Sequence, residues 1–403
     1  RIYEEELGDV QRAEETYRFI VGVDAKNEDA LQALDRIYAE NGAHTALAEA
    51  LRKRIAATED ATDEVDLNYR LATVLNRDLG RVDEAITVYR HILEDLDAQH
   101  EETIKSLQDV YTRREDWENL SWVLEKELEI AVGDSLQAEI LGRMASVASE
   151  KLNDLERAVG LLRRVLDLMG EDAAALNALG NIYARQENWT DLVDVLEREV
   201  AVSDEDEMRL HIYADLGRIW YEKLRRDRNA LESWERVLDL DPTYTDALFA
   251  MAAIHRNAEA YSELVDTLHR VIDVGSATLE NNVLENVYLE LGAIYDDKLQ
   301  QPFDAVESYN HALDINPSSF QAMDALEKIH SRDSQWEDCI AVKEKRVLAS
   351  QAAEEKIAVL LEIARMWDEQ VEEKDRGVSA HSRILELDPI HQEAFQQLEA
   401  LHS

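Results

Sequence analysis

The sequence predicts an all-α fold, an α-solenoid of stacked antiparallel helix pairs, and two ladders of recurring residues carry that expectation. One ladder is Tyr38, Tyr111, Tyr183, His255, His330 and His402, with steps of 73, 72, 72, 75 and 72. The other is Ala13, Ala85, Ala158, Ala230, Ala305 and Gly377, with steps of 72, 73, 72, 75 and 72. A fixed stride marks a stacked repeat, in which each unit buries its apolar face only against its neighbours. The composition agrees, since 45% hydrophobic residues suffice for a continuous core beside 32% charged ones. The repeat overrides the length prior of about two or three domains, so one continuous body is expected over residues 1–403.

Each stride resolves into two alternating helix pairs, giving a basic unit of roughly 36 residues. In the odd pairs the first helix carries Leu71-Ala72, Met144-Ala145, Leu216-Gly217, Leu291-Gly292 and Ile363-Ala364, where a small residue admits the adjacent helix. The second helix follows as an apolar stripe at helical spacing: Ala85 through Tyr89 and Leu93, Ala158 through Leu162 and Leu166, Ala230 through Trp234 and Leu238. Asp241-Pro242, Asn316-Pro317 and Asp388-Pro389 stand just past these helices, where proline ends the turn and pushes its predecessor out of helical geometry.

The even pairs carry two further columns. Leu34, Leu107, Leu179, Met251, Leu326 and Leu398 form the first; Trp117, Trp189, Tyr261 and Trp336 form the second, after a short turn. Large rings at recurring positions are expected to wedge between pairs and fix the angle between successive helices. Asp204-Glu205-Asp206-Glu207 reads as a helix start, because carboxylates favour the positive end of the helix dipole.

These first helices, followed by second helices of the form Ala-x-x-x-Tyr-x-x-x-Leu-x-Leu-Asp-Pro, resemble the tetratricopeptide repeat family. Leu216-Gly217, Trp220, Ala230, Trp234, Leu240, Asp241 and Pro242 carry the fullest match. The resemblance covers essentially the whole chain, with about ten complete motifs and a partial one at each end. It implies a right-handed superhelix and a protein-binding scaffold whose inner surface, lined by first helices, holds a peptide or a helix. The even motifs depart from the family pattern with Leu47, Leu120, Leu192, Leu264 and Cys339 where a small alanine is expected, which predicts wider helix packing there. The chain opens at Arg1, and both ends fall inside a first helix. Arg1-Ile2-Tyr3 aligns one place off Arg218-Ile219-Trp220, and Leu401-His402 aligns with Ile329-His330, so an excised segment of a longer chain is expected.

Charge narrows the partners. With 87 acidic against 43 basic residues the formal charge is -44, which repels nucleic-acid phosphates and anionic headgroups and favours basic protein surfaces. The same acidity keeps a long repetitive chain soluble. No apolar run reaches membrane-spanning length, so no membrane insertion is expected. Cys339 stands alone, which excludes an intrachain disulfide and a cysteine-based metal site. A lone cysteine suits the cytoplasm and is compatible with a periplasmic setting. The likeness to large acidic bacterial chains of this type is an analogy only.

Catalytic signals are missing from the sequence. The ladder histidines occupy the column filled elsewhere by tyrosine, which points to packing, and successive members belong to different strides, too far apart to share a metal. His91 and His311 share a column with Arg164, Arg236 and Arg383, a solvated basic face. No phosphate-cradling glycine loop or Gly-x-Ser-x-Gly elbow occurs, so no cofactor and no enzymatic activity are expected. The alternative is a regulatory or substrate-recruiting arm of an enzyme whose catalytic domain lies outside this segment.

Candidate partner-binding residues therefore lie on the first helices. The odd pairs place Glu150, Glu222, Asp297 and Glu369 in one column, with Arg77 as the exception; the even pairs place Arg113, Arg185, Asn257 and Arg332 at the equivalent position. Two readings follow from this alternation. Neighbouring pairs form exposed ion pairs, each worth about 0 to 1 kcal/mol, or the alternation selects a partner of matching charge. Asn177, Asn181 and Arg185 would offer donors on one helix face and His211, Arg218 and Tyr221 on the next. Members of the family that grip an acidic C-terminus use lysine and asparagine on successive first helices. Here Lys105 is followed by Asp109 and Asn177 by Asn181, so that grip is not expected.

Overall fold

The computed structural model describes residues 2–402, together with their side chains other than those of Ile2, Glu5, Leu401 and His402. The last rung of the tyrosine–histidine ladder, the side chain of His402, and the end alignments that use Arg1 and the side chains of Ile2 and Leu401 thus lie outside what is described. Among the described residues every regular element is helical. The chain forms two compact units, one reaching Val202 and one beginning at Ser203.

The first unit holds a π-helical turn Ile2–Glu6 and α1 (Val10–Val23), α2 (Glu28–Glu40), α3 (His44–Ala57), α4 (Ala61–Thr73) and α5 (Val82–His91). It continues with α6 (Glu101–Arg113), α7 (Trp117–Ile130), α8 (Asp134–Ser146), α9 (Leu155–Met169), α10 (Ala173–Arg185) and α11 (Trp189–Val202). The second unit holds α12 (Asp206–Arg218), α13 (Asp227–Leu240), α14 (Thr245–Asn257), α15 (Tyr261–Gly275), α16 (Asn281–Ala293) and α17 (Pro302–Ile315). It ends with α18 (Phe320–Arg332), α19 (Trp336–Ala349), α20 (Ala353–Met366), α21 (Lys374–Leu387) and α22 (Gln392–His402). In both units each helix packs chiefly on its neighbours in sequence, the most extensively within a pair, as in α8 with α9 and α16 with α17. This is the stacked all-α architecture expected from the strides.

The ladders lie in the core. Tyr38, Tyr111, Tyr183 and His330 are buried, His255 is half-buried, and the alanine ladder is buried from Ala13 to Gly377. Small residues sit where the partner helix brings a large ring. At Gly217 an added Cβ would come within 2.6 Å of the Trp234 ring, and at Gly292 within 2.7 Å of Tyr309. The prolines fall where expected, since α13, α17 and α21 stop at Leu240, Ile315 and Leu387, before Asp241, Asn316 and Asp388. The acidic run at residues 204–207 opens α12, with Asp206 and Glu207 in its first turn. Trp117 and Tyr261 open α7 and α15 and wedge toward the next pair, where Lys151 and Lys298 lie 5.2 Å and 5.3 Å from the ring centres.

Two features of the turns are absent from the sequence reading. The first helix of each odd pair continues into a π-helical turn, at Val74–Asp78, Val147–Lys151, Ile219–Lys223, Ile294–Lys298 and Trp367–Val371. The closing bond is correspondingly one residue longer. In even pairs the amides of Ala43, Asp116, Asn188, Ala260 and Gln335 donate to the carbonyls of Tyr38, Tyr111, Tyr183, His255 and His330, the ladder itself. In odd pairs those of Arg81, Asp154, Arg226, Gln301 and Glu373 donate to Leu75, Ala148, Trp220, Tyr295 and Trp367. The 6→1 closures of the even pairs and the 7→1 closures of the odd pairs each have a left-handed residue at the turn. Glycine fills it at Gly42 and Gly80, but Glu115, Asn153, Glu187, Arg225, Glu259, Gln300, Ser334 and Glu372 fill it elsewhere, with φ between 53 and 61°.

Candidate functional site

Side-chain bonds between successive first helices recur at a nearly constant sequence offset, so within each unit those helices lie side by side and run parallel. In the first unit Arg70 on α4 binds Asp35 on α2 through two bonds of 2.7 and 2.8 Å, Arg143 on α8 reaches Gln108 on α6 at 3.1 Å, and Arg185 on α10 reaches Asn153 at 2.9 Å. In the second unit Arg256 on α14 grips Glu290 on α16, Asn257 donates to the Tyr221 hydroxyl, and Arg332 on α18 binds Asp296 at 2.8 Å. The candidate partner-binding residues stand on these rows.

On α10, Asn177, Asn181 and Arg185 are brought onto one exposed face: Asn181 donates to the Asn177 side-chain oxygen Oδ1 at 3.1 Å, and Asn177 lies 3.5 Å from the buried Glu199 carboxylate. Arg185 is anchored as well, to the Ser149 carbonyl at 3.3 Å and to Asn153. Arg113, on α6, turns back on its own helix to Asp109 at 2.8 Å and is exposed. In the second unit His211 and Arg218 are exposed on α12, Arg218 pairing with Asp215 at 2.9 Å. Tyr221 stands in the following π-helical turn, held by Asn257, and Arg332 stands on α18, bound to Asp296 and Asp333. Arg113, Asn177, Asn181 and Arg185 therefore belong to one unit and His211, Arg218, Tyr221 and Arg332 to the other.

The ladder of alternating charge differs from the expected one by a single position. Arg185, Asn257 and Arg332 meet Ser149, Tyr221 and Asp296, each one residue before the acidic column of Glu150, Glu222 and Asp297. The π-helical turn is the reason: its extra residue per turn rotates the end of each odd first helix and carries the acid past the facing arginine. Arg185 and Arg332 consequently tie helices together.

Two ionic clefts were not foreseen. In the first unit the buried Asp35 sits between Arg54 on α3 and Arg70, at the floor of a cleft of about 600 Å³ that Arg36 and Tyr17 also line. At the corresponding place in the second unit, Lys343 bridges Glu327 and Glu362 beside a cleft of about 520 Å³ edged by Trp336 and Met366. Burial works against the Lys343 ammonium, yet its two carboxylate bonds outweigh it and hold its pKa above the ordinary lysine value. Burial raises the pKa of the neighbouring Cys339 thiol, which suits a packed hydrophobe better than a nucleophile. The available signal was an acid, Asp35 or Glu327, beside the buried Leu34 and Leu326, where a core-facing charge calls for a partner.

Asn119 and Asn188, each in a glycosylation-type triplet, are engaged with Asp116 and Asp191, and Ser121 is buried. Among the described residues no three His, Cys, Asp or Glu side chains are grouped to hold a metal ion, and no helix is long and apolar enough to cross a membrane.

The tetratricopeptide repeat family matches residues 175–208, which span most of α10, all of α11 and the start of α12. The match thus falls on an even pair, beginning at Ala175 and including Leu179-Gly180 and Tyr183, where the Leu216–Pro242 stretch had promised the fullest fit. A Cβ added at Gly180 would lie 3.6 Å from the Leu192 side chain, an ordinary contact, so this pair is less closely fitted than Gly217 against Trp234. Solved structures similar to this chain include the tetratricopeptide repeat protein YrrB, described as having an unusual peptide-binding site, at 23% identity over 47% of this chain and 91% of that one, with a TM-score of 0.30. The C-terminal part of a repeat protein from Cytophaga hutchinsonii matches at 17% identity over 64% and 98%, with a TM-score of 0.33. A repeat protein from Parabacteroides merdae matches at 14% over 66% and 99%, with a TM-score of 0.30. No curated protein matches the sequence. Residues 175–208 form a tetratricopeptide repeat, and helix pairs of the same kind flank them on both sides.

Proposed function

We propose that this array of tetratricopeptide-type helix pairs is a non-catalytic scaffold that holds protein or peptide partners against its first helices, with basic partner surfaces favoured and a place in a larger assembly. The observation that carries the reading is the α10 face, where Asn177, Asn181 and Arg185 present amide and guanidinium donors in a row on the repeat that matches the family. The formal charge of -44 supports the preference for basic partners. We further propose one continuous array over residues 1–403, because both ladders keep a step of 72 where the units divide, from Ala158 to Ala230 and from Tyr183 to His255.

Affinity capture from the native source followed by mass spectrometry tests the scaffold directly. The informative variant is Asn181→Ala, because that side chain bonds only to Asn177 on its own helix, whereas Arg185 and Arg332 tie helices together and Asn177 faces the buried Glu199. It is expected to weaken capture about tenfold with an unchanged melting curve. Undiminished capture moves the partner off this face, and no specific capture by the unaltered chain removes the scaffold reading.

A further inference from the structure

The ladders set α17, α18 and α19 in correspondence with α5, α6 and α7, and the outer face of these helices differs between the two places. In the first unit the space between α5 and α7 is filled. Trp122 lies there half-buried, with the Arg90 guanidinium 4.5 Å above its ring, and Arg90 also donates to Asn119 at 3.3 Å. An ion pair between Asp83 and Arg114 stands at its edge.

In the second unit the stride puts Ala341 in the place of Trp122, Asn310 in that of Arg90, Asp338 in that of Asn119, Phe303 in that of Asp83 and Asp333 in that of Arg114. The filler, the cation above it and the ion pair are all gone. What remains is a cleft of about 360 Å³ between α17 and α19, floored by Val306, Ala341 and Val342 and rimmed by Phe303, Asp333 and Asp338. Phe303 is 84% exposed at its mouth, a large apolar surface facing water with no partner in the pair. Lys345 also lines the cleft, at the place of Lys126 in the first unit.

We infer that this cleft is a docking site for an aromatic side chain, a tryptophan above all, presented by a positively charged segment of a partner protein. The chain's own Trp122 shows what the position accommodates, and since Asn310 stands at the place of Arg90, a cation over the ring on that side comes from the partner. Asp338 and Asp333 at the rim match that charge, as does the acidity of the chain. A buried ring with an offset cation, Phe303 packing on its edge, is the composition of an interface anchor. The inference rests on the scaffold reading and adds to it a place on the outer face.

The test uses a fluorescein-labelled, end-capped peptide Lys-Lys-Trp-Lys-Lys and its counterpart with alanine for tryptophan, titrated with the full chain by anisotropy. The tryptophan peptide is expected to bind about thirtyfold more tightly, and Ala341→Trp, which fills the cleft with the chain's own indole, is expected to abolish that preference. Equal binding of the two peptides to the unaltered chain overturns the inference, as does a preference that survives Ala341→Trp. If Ala341→Trp melts early, Phe303→Ala, which removes the exposed ring that would pack on the indole's edge, repeats the measurement: a preference about fivefold smaller is expected, and an unchanged preference overturns the inference. Absence of the preference while capture from the native source persists sinks this inference alone; absence of any capture sinks the scaffold reading.

Discussion

Gly217 and Trp234 show how tightly a single position is set. The indole lies where a methyl group would stand, 2.6 Å from an ideal Cβ, so Gly217→Ala must displace a buried ring. A loss of about 1–3 kcal/mol is expected from overpacking, read by denaturant titration, and Trp234→Leu, the residue type at Leu162, is expected to make the same alanine nearly neutral. Additive losses in the double variant would show that the ring and the glycine do not act as a pair. This much was legible in sequence, because residue size recurs in register: Ala72, Ala145, Gly217, Gly292 and Ala364 announce a close approach before any coordinates exist. The left-handed turn residues were illegible. Glu115, Glu187 and Glu259 adopt a conformation that costs about 1–2 kcal/mol in a non-glycine residue, imposed by the closing bond to the ladder carbonyl.

At the level of the helix, the π-helical turn decides which side chains meet. Hydropathy records apolar spacing and is blind to one added residue at a helix end, so the column Glu150, Glu222 and Asp297 looked equivalent to its neighbour. The bonds of Arg185, Asn257 and Arg332 fall instead on Ser149, Tyr221 and Asp296. Two arginines from the same sequence column therefore differ in consequence. Arg332→Ala leaves the buried Asp296 carboxylate without its cation and is expected to lower the unfolding midpoint clearly. Arg113→Ala removes only an exposed bond within its own helix and is expected to cost under about 0.5 kcal/mol. Comparable unfolding midpoints for the two variants would contradict the assignment of Arg332 as a tie between helices.

For the molecule as a whole, charge outweighs the individual ion pairs. Surface pairs such as Arg52–Glu84 and Arg157–Glu125 weaken as salt screens them, but so does the mutual repulsion behind a net charge of -44. Repulsion involves far more charges than the pairs do, so the melting temperature is expected to rise on going from about 0.02 M to about 0.5 M sodium chloride. A fall would mean that the local pairs dominate. Bulk charge and stacked architecture were plain in the composition and the strides. The outer cleft beside Phe303 was not, because it exists only as a set of differences between two places that the ladders make equivalent, and each substitution alone looks like ordinary surface variation.

The matched partners across a hairpin, glycine against indole at one and glycine against phenol at another, also govern how such an array can change over generations. A first helix with alanine at this place, such as that of Ala72, would collide with Trp234 if joined to its helix, so recombination inside a hairpin can yield a misfit. Breakpoints between hairpins keep every such pair together, so whole hairpins are the units that can be gained or lost without that misfit.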